Sequence, residues 1–282
     1  MMAQLFDARI CELGEGAFWH PTRQQLFWVD IIGKRLLGRH GDTALEWQFD
    51  ECLSALGWLD YDHLIVATET ALWKFQIDSG ARTKLVELEA DCPENRSNDG
   101  RADPMGGFWV GTMGKHKHVQ GGGIWRYYKG TLRKIVSGLD IPNSICFSPD
   151  ATVAYWSDTS QQKLWAQPLD ADGWPHGAPS LFLDLTSEGL YPDGAVTDET
   201  GAIWIAQWGA SRVARYLPNG AFDYAITIGA TQASCPVFGG AELRDLFVTT
   251  AHEHMDAPDA HQGTLWHHRC DVKGLPAPRV LL

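Results

Sequence analysis

Six copies of one short pattern recur along this 282-residue chain, and no other feature restricts its fold as strongly. Each copy contains an apolar, aromatic-rich segment of five residues. In chain order these are LFWVD, LIVAT, FWVGT, AYWSD, IWIAQ and LFVTT, beginning at Leu26, Leu64, Phe108, Ala154, Ile203 and Leu246, at intervals of 38 to 49 residues. A second segment follows in every copy: RLLGR, ALWKF, GIWRYY, KLWAQ, RVARY and TLWHH. A repeat of this length indicates an array or a propeller.

The copies have the character of β-strands. Apolar and polar residues alternate at short intervals, and the segments end in turn signals such as Lys129-Gly130 and Pro218-Asn219-Gly220. A propeller blade holds four strands in about 40 to 50 residues. The sequence therefore predicts an all-β fold, a six-bladed β-propeller forming a single domain over residues 1–282. We expect a strand from Gln4 to Ile10 to complete the last blade and close the ring.

Bulk properties exclude several classes of partner. A formal net charge of −12 argues against nucleic-acid binding, which needs a basic surface. No apolar run reaches the ~18 residues that cross a bilayer, and the opening MMAQLFDARI does not have the form of a secretory signal. The six cysteines are scattered without a C-x-x-C pair. We therefore expect reduced thiols in a cytoplasmic protein, a monomer or weak dimer without nucleic-acid or membrane partners.

Counting back from the aromatic-rich segments, taken as inner strands, gives one equivalent position in each repeat. Ten or eleven residues upstream, where each repeat's first strand should begin, stand Glu15, Ser54, Asn98, Asn143, Asp193 and Cys235. The innermost strands of a propeller run the same way around one axis. Equivalent positions should therefore form a ring at one mouth of the central channel.

This ring is rich in oxygen ligands. Two carboxylates, Glu15 and Asp193, would repel each other in a narrow site and take up protons unless a cation neutralises them. Oxygen ligation suits Ca²⁺, Mg²⁺, Mn²⁺ or Zn²⁺, and Fe²⁺ is a further candidate. Glycines beside the ring positions would let the backbone approach the axis closely. For any single motif, an ordinary turn is the alternative; the recurrence in four repeats favours a central metal site.

Four long blocks carry a resemblance to a known family. LGEGAFWHPTRQQLFWVDI, RSNDGRADPMGGFWVGTMG, IPNSICFSPDATVAYWSDT and YPDGAVTDETGAIWIAQWGASRVARY resemble the gluconolactonase family that includes regucalcin, also called senescence marker protein 30. The resemblance extends from Glu12 to about His268. It implies a six-bladed propeller that hydrolyses sugar lactones with one bound divalent cation.

The resemblance also implies roles for individual residues. The family's metal ligands fall on Glu15, Asn143 and Asp193, with Asn98 close to both metal and substrate. Arg96 matches the arginine that faces the sugar. The motif AQWGASR places Trp208 and Arg212 near the same mouth, and His118 aligns loosely with a substrate-contacting glutamate of the animal relatives.

These groups suggest a reaction. Hydrolysis of a lactone, a cyclic ester, needs an activated water and stabilisation of the developing oxyanion, and a divalent cation can support both. Asp193 is the candidate general base. Arg96 and Asn98 would hold the sugar hydroxyls and the oxyanion. Two other functions stay open: a related metal-dependent esterase or phosphotriesterase, and a non-catalytic calcium-binding propeller.

Remaining polar groups receive structural interpretations. We expect Asp99 to bond neighbouring backbone, Arg101 and Asp103 to form a turn-stabilising pair or lie on a blade surface, and Cys235 to pack rather than react. The segment His252 to His261 contains three histidines, but not the H-E-x-x-H spacing of a zinc site. It is expected to be a surface turn or a loop over the mouth. Lys115 to Gln120 is the candidate lid.

Overall fold

A computed structural model describes residues 1–116 and 121–282 of the chain. Within these residues there are 24 β-strands in six four-stranded antiparallel sheets, a short 3₁₀ turn at Thr159–Gln161 and no α-helix. The predicted all-β, six-bladed propeller is therefore confirmed, with four strands in each described blade.

The first three blades each use four consecutive strands. Blade one contains β2 (Gly14–His20), β3 (Gln25–Asp30), β4 (Arg35–His40) and β5 (Thr43–Gln48). Blade two contains β6 (Leu53–Trp58), β7 (His63–Thr68), β8 (Ala71–Gln76) and β9 (Arg82–Glu87). Blade three contains β10 (Asn95–Ala102), β11 (Phe108–Gly114), β12 (Gly122–Tyr128) and β13 (Thr131–Leu139).

Blades four and five follow the same order, and the last blade, blade six, joins the two ends of the chain. Blade four contains β14 (Pro142–Phe147), β15 (Val153–Asp158), β16 (Lys163–Pro168) and β17 (Ser180–Asp184). Blade five contains β18 (Tyr191–Thr197), β19 (Ile203–Trp208), β20 (Arg212–Tyr216) and β21 (Phe222–Thr227). Blade six combines β22 (Gln232–Gly239), β23 (Asp245–Ala251) and β24 (Leu265–Arg269) with β1 (Gln4–Asp7).

The first strand of each repeat lies nearest the axis. These innermost strands are β2, β6, β10, β14, β18 and β22, and each contacts its neighbours around the channel. The aromatic-rich segments form the second strand of each blade. The expectation that they are the inner strands is therefore wrong, because they lie one strand further from the axis. The second strand is covered on both faces by neighbouring sheets, which allows apolar residues on both faces. Trp28, Trp109 and Trp204 are accordingly fully buried there.

Aromatic side chains pack the blades against each other. Trp109 of blade three lies edge-on to Phe147 of blade four at 5.4 Å between ring centroids. Trp204 of blade five meets Phe238 of blade six in the same way at 5.5 Å. Edge-to-face pairs are favourable beyond the burial of their area. The core is thus a ring of interfaces between sheets.

Local turn chemistry agrees with the predicted hairpins. Lys129 and Gly130 have φ values of +48° and +78° and connect β12 to β13 with Tyr128 opposite Thr131. Two positive φ values are what a two-residue turn between twisted strands requires.

The predicted closing strand is confirmed, although it is shorter than expected. β1 pairs antiparallel with β24 and so completes blade six. The ring of Phe6 packs on Phe247 at 4.8 Å between centroids. Arg9 adds a link to blade one, donating to the carboxylate of Asp7 and to the carbonyl oxygens of Gly38 and Leu45.

Asp103 does not pair with Arg101, and it is not a surface residue. Its carboxylate is fully buried and accepts hydrogen bonds from the Trp109 indole at 3.1 Å and from Nε of Arg126 at 2.6 Å. It also accepts the backbone N–H of Gly107, so the turn-stabilising half of the expectation is correct. The partner arginine comes from the third strand of the same blade, which only the sheet brings close.

We predict that removing residues 1–8 lowers the melting temperature by about 10 °C. The reason is that several hydrogen bonds of ~1 kcal/mol each and the Phe6 contact are lost from blade six. Circular dichroism melts of the truncated and full chains would measure it. Leu5→Ser, at an exposed position of the same strand, serves as the control. An unchanged melting temperature in the truncated chain would show that β1 does not close the ring.

Candidate active site

Each innermost strand contains a β-bulge where its pairing with the second strand shifts, and the ring positions stand at these bulges. In three blades the residue after the bulge pairs with the third residue of the aromatic segment. The pairs are Gly100–Val110, Ala195–Ile205 and Pro236–Val248. Two residues earlier stand Asn98, Asp193 and Ser234. Cys235 is therefore not the equivalent position of blade six, because the count from sequence is wrong by one residue.

Gly16 shows how closely the innermost strands approach each other. It has φ +55°, and a Cβ at this position would lie 2.4 Å from the carbonyl oxygen of Ser54 in the next blade. A Cβ on Gly194 would lie 2.8 Å from the carbonyl oxygen of Ser234. Only glycine fits such positions without movement of the backbone. The expectation that glycines permit a close approach at the axis is correct at both positions.

The ring positions open into one cavity, here called the mouth cavity, with a volume of about 780 Å³. Its lining includes the predicted site residues Glu15, Arg96, Asn98, Asn143, Asp193 and Trp208. Their sources are the innermost strands of blades one, three, four and five, together with the end of β19. The structure therefore brings together the described residues that the sequence assigned as catalytic, metal-binding or substrate-binding, whereas Arg212, expected near the same mouth, does not line this cavity. His118 lies outside the described residues.

Two buried carboxylates stand in this cavity. Glu15 and Asp193 are 6% and 5% exposed. Burial raises the pKa of Glu15 to about 8, and the charge of Asp99 adds to the shift. Burial also raises the pKa of Asp193 well above its ordinary value, with Glu15 and then Asp99 contributing. Within the described ranges, neither carboxylate has an arginine, lysine or histidine within salt-bridge distance.

The carboxamides are oriented by a chain of hydrogen bonds between blades. Nδ2 of Asn98 donates to Oδ1 of Asn143 and to the carbonyl oxygen of Pro142, both at 3.0 Å. Nδ2 of Asn143 donates to Oγ1 of Thr159 at 2.8 Å, and that hydroxyl donates to the carbonyl oxygen of Pro192 at 2.7 Å. Because the amide nitrogen of Asn143 is engaged, its oxygen stays directed towards Asn98 and the cavity.

Arg96 is buried beside these groups. Its Nη1 donates to Oδ1 of Asn98 at 2.8 Å and to the carbonyl oxygen of Ser97 at 2.9 Å. Burial lowers the pKa of the guanidinium, and the negative charges of Glu253, Glu15 and other acidic groups oppose this effect. The side chain stays a cation at neutral pH and lines the cavity.

The donor set fits a divalent cation. Two buried carboxylates and one oriented carboxamide oxygen are hard oxygen ligands. In the described part of the protein neither carboxylate has a salt-bridge partner, and the nearby Arg96 charge lowers their pKa less than burial raises it. Like charges held this close would otherwise take up protons. Among the described residues, no three His, Cys, Asp or Glu side chains gather as a metal cluster. A cation here would therefore use a carboxamide oxygen as well as carboxylates.

The rim contains groups that sequence reasoning missed or misplaced. Thr159, Cys52 and Glu253 line the mouth cavity. Thr159 directly follows the AYWSD segment, so the loops after the second strands were the signal that could have identified it. Arg212 is misplaced: its guanidinium binds Gln207 and lies over the ring of Phe222, towards the outside of blade five.

The histidine-rich segment divides between the rim and the surface. His254 lines the mouth cavity and its side chain is highly exposed. The ring of His261 instead lies 5.9 Å from that of Trp266. The interpretation as a loop at the mouth therefore fits His254 and its neighbour Glu253, whereas the described residues show no zinc cluster.

Arg101 and Cys235 lie on the opposite side of the ring from the mouth cavity. Both line a second cavity of about 250 Å³. Arg101 is neither a turn residue nor a surface residue, because its guanidinium donates to the carbonyl oxygens of Ile145 and Ala195 in two other blades. Burial raises the pKa of the Cys235 thiol well above its ordinary value. The expectation that Cys235 packs is in agreement with its burial.

Comparison with known proteins identifies relatives of this arrangement. A putative sugar lactone lactonase of Rhizobium meliloti (strain 1021) is 37% identical over 279 residues, covering 96% of this chain and 94% of that protein. An L-arabinolactonase of Azospirillum brasilense is 35% identical over 265 residues, covering 89% and 86%. The crystal structure of a calcium-binding protein, regucalcin, from Agrobacterium tumefaciens has a TM-score of 0.96 at 35% identity, covering 99% of this chain and 97% of that one.

Fold and site together define a class: six-bladed propellers with an acidic, carboxamide-containing cavity at one end of the channel. The family described as SMP-30/Gluconolactonase/LRE-like region matches residues 13–252. The chain belongs to this family, and the expected resemblance is confirmed. The expectation of a lactone-hydrolysing enzyme is confirmed at the level of the family. In the described residues, no helix has the length and apolar character to span a membrane.

We predict that Cys235→Ala keeps kcat within about twofold of the wild type, because a thiol whose pKa is raised is a poor nucleophile. Steady-state lactonase assays would measure it, with circular dichroism to verify folding. A correctly folded variant with its activity lost would restore Cys235 as a catalytic candidate.

Proposed function

We propose that this protein hydrolyses a sugar lactone to the corresponding aldonic acid with the help of one divalent cation. The observation that carries the proposal is the convergence of Glu15, Asn143 and Asp193 on one cavity, with Arg96 and Asn98 beside them. The names of the bacterial relatives, a putative sugar lactone lactonase and an L-arabinolactonase, support the substrate class. The regucalcin relative, described as calcium-binding, supports a cation.

Glu15, Asn143 and Asp193 would hold the cation through their side-chain oxygens. When bound, a divalent cation supplies Lewis acidity, which polarises a carbonyl group and acidifies water. The described donor set offers oxygen ligands alone, which suits Ca²⁺, Mg²⁺ and Mn²⁺ and is compatible with Fe²⁺ and Zn²⁺.

Asp193 is the proposed general base. A carboxylate has two oxygens, so one can serve as a ligand and the other can accept the proton of the attacking water. The water oxygen forms a bond to the lactone carbonyl carbon, and the bond from that carbon to the ring oxygen then breaks. The proton held by Asp193 passes to the ring oxygen, which leaves as a hydroxyl group. The products are one carboxylic acid and one alcohol on the same open-chain sugar.

Arg96 and Asn98 would bind and orient the substrate. The remaining N–H groups of the Arg96 guanidinium can donate to sugar hydroxyls and to the negative charge that develops on the carbonyl oxygen. The hydrogen bonds that fix Asn98 keep its position constant while the substrate changes shape. Trp208 offers an apolar surface at the rim for the non-polar face of the sugar ring. His118 keeps its proposed substrate contact as an expectation from sequence.

We predict that Asp193→Asn and Asp193→Ala each lower kcat by at least ~100-fold, the scale expected for the loss of a general base. Continuous pH-stat assays at saturating metal would measure kcat. Asp140→Asn, a carboxylate at the rim of the same cavity, should remain within about threefold of the wild type. An Asp193→Asn enzyme that works within a few-fold of the wild type would remove Asp193 from the role of base.

Removal of metal should abolish activity, and a divalent ion should restore it, because the Lewis acidity that polarises the carbonyl group and acidifies water would be lost with the ion. We would assay chelator-treated protein after addition of Ca²⁺, Mg²⁺, Mn²⁺, Fe²⁺ or Zn²⁺ against a panel of sugar lactones, aryl esters and phosphotriesters. We expect turnover of the sugar lactones only. Full activity in protein shown to be metal-free would refute the cation, and preference for esters or phosphotriesters would refute the substrate class.

A further inference from the structure

Three innermost strands carry the carboxamides and the proposed base, and they belong to three different sheets. Asn98 lies on β10, Asn143 on β14 and Asp193 on β18. No backbone ladder joins these strands, because each pairs only within its own blade. Their relative positions therefore depend on side chains that cross from one blade to the next.

Two side chains of β10, here called the Asp99–Arg101 clamp, make such a crossing. Oδ2 of Asp99 accepts the N–H of Ile145 at 2.7 Å, and Nε of Arg101 donates to the carbonyl oxygen of the same residue at 3.0 Å. Nη2 of Arg101 continues to the carbonyl oxygen of Ala195 at 2.9 Å. A single guanidinium thus connects blade three to blades four and five.

The two residues whose backbone groups bind the clamp lie close in sequence to the proposed ligands. Ile145 stands two residues after Asn143, and Ala195 stands two residues after Asp193. Both strands are bulged over these intervals, with register shifts from Asn143 to Cys146 and from Pro192 to Ala195. A bulge interrupts the ladder and leaves backbone groups in need of partners. The clamp supplies such partners at equivalent places of two adjacent blades.

We propose that Arg101 is a positioning residue, which sets the spacing of Asn143 and Asp193 and thereby the affinity of the site for its cation. The inference rests on the proposed function, since it takes these residues as ligands. Arg101 acts from the far side of the ring and lines the second cavity, so it does not contact the substrate. Partners that orient metal ligands typically change metal affinity by 10- to 100-fold when they are removed.

The sign of the effect separates positioning from simple electrostatics. Removing a positive charge near a cation site favours the cation by Coulomb's law, so loss of charge alone would tighten binding. Loss of the correct spacing between the ligands would instead weaken binding of the cation. Arg101→Met removes both donors and the charge, whereas Arg101→Lys keeps the charge but lacks the planar fork that reaches two carbonyl oxygens at once.

Arg9 offers a matched control. It also donates to two backbone carbonyl oxygens of a neighbouring blade, those of Gly38 and Leu45, at 3.0 and 2.8 Å. It lies where β1 meets blade one, and it does not line the mouth cavity. Arg9→Met should therefore lower stability without a change in metal affinity.

The test is calorimetric titration of metal-free full-length protein with Mn²⁺, with folding checked by circular dichroism. We expect the Kd of Arg101→Met to rise by about tenfold or more, that of Arg101→Lys to rise less, and that of Arg9→Met to equal the wild-type value. Raising the Mn²⁺ concentration should largely restore kcat in Arg101→Met. Should Arg101→Met not fold, the Arg101→Lys titration decides.

Each outcome has one meaning. An unchanged or lower Kd in Arg101→Met, or an unchanged Kd in Arg101→Lys where Met does not fold, overturns the positioning role and leaves the cation site intact. An equal rise in the Kd of Arg9→Met shows that a general loss of stability weakens binding, and this also overturns the positioning role. Wild-type protein that binds neither Mn²⁺ nor another of the candidate ions overturns the cation site itself, and the inference with it.

Discussion

The close approach of the innermost strands at the channel axis is the constraint on which the rest of this structure depends. At Gly16 there is no space for a Cβ against the next blade. This proximity brings short side chains from separate repeats within reach of each other. It also forces Glu15 and Asp193 into one buried space, where desolvation and repulsion from neighbouring carboxylates raise the pKa of both carboxyls. The proposed cation is the physical answer to that repulsion.

Cross-blade hydrogen bonds complete the site, because sheets in a propeller are separate and cannot position each other through backbone ladders. On the side of the mouth cavity, Asn98 bonds Asn143, and Thr159 connects Asn143 to the carbonyl oxygen of Pro192. On the far side, Arg101 bonds two blades at once. The two sets of bonds lie on opposite sides of the proposed ligands. Substitutions on the far side of the ring can therefore affect the reaction in the mouth cavity without contacting the substrate.

The polar stretch from Asn95 to Asp103 makes three different kinds of contact. In this stretch, the residues on the mouth side make polar contacts around the cavity. Asp99 and Arg101 instead form hydrogen bonds with the backbone of the neighbouring innermost strands. Asp103 lies further from the axis, and its buried carboxylate accepts hydrogen bonds from Trp109 and Arg126 within blade three. One short segment, β10 and the residue after it, thus contributes to the candidate site, to the contacts between blades and to the interior of its own sheet.

The amino-acid sequence alone determined the β-character, the six repeats, the closing strand and the register of the ring in five blades. These follow from local periodicity and from the ten or eleven residues that separate each ring position from its aromatic-rich segment. It also indicated Glu15, Asn98, Asn143 and Asp193 as a convergent set. Only the tertiary structure decided that Ser234 rather than Cys235 occupies the sixth position, since a bulge shifts register by one residue without a local signal. Contacts that join different blades, such as those of Arg101 and Thr159, depend on distances between sheets. No pattern within one repeat encodes those distances.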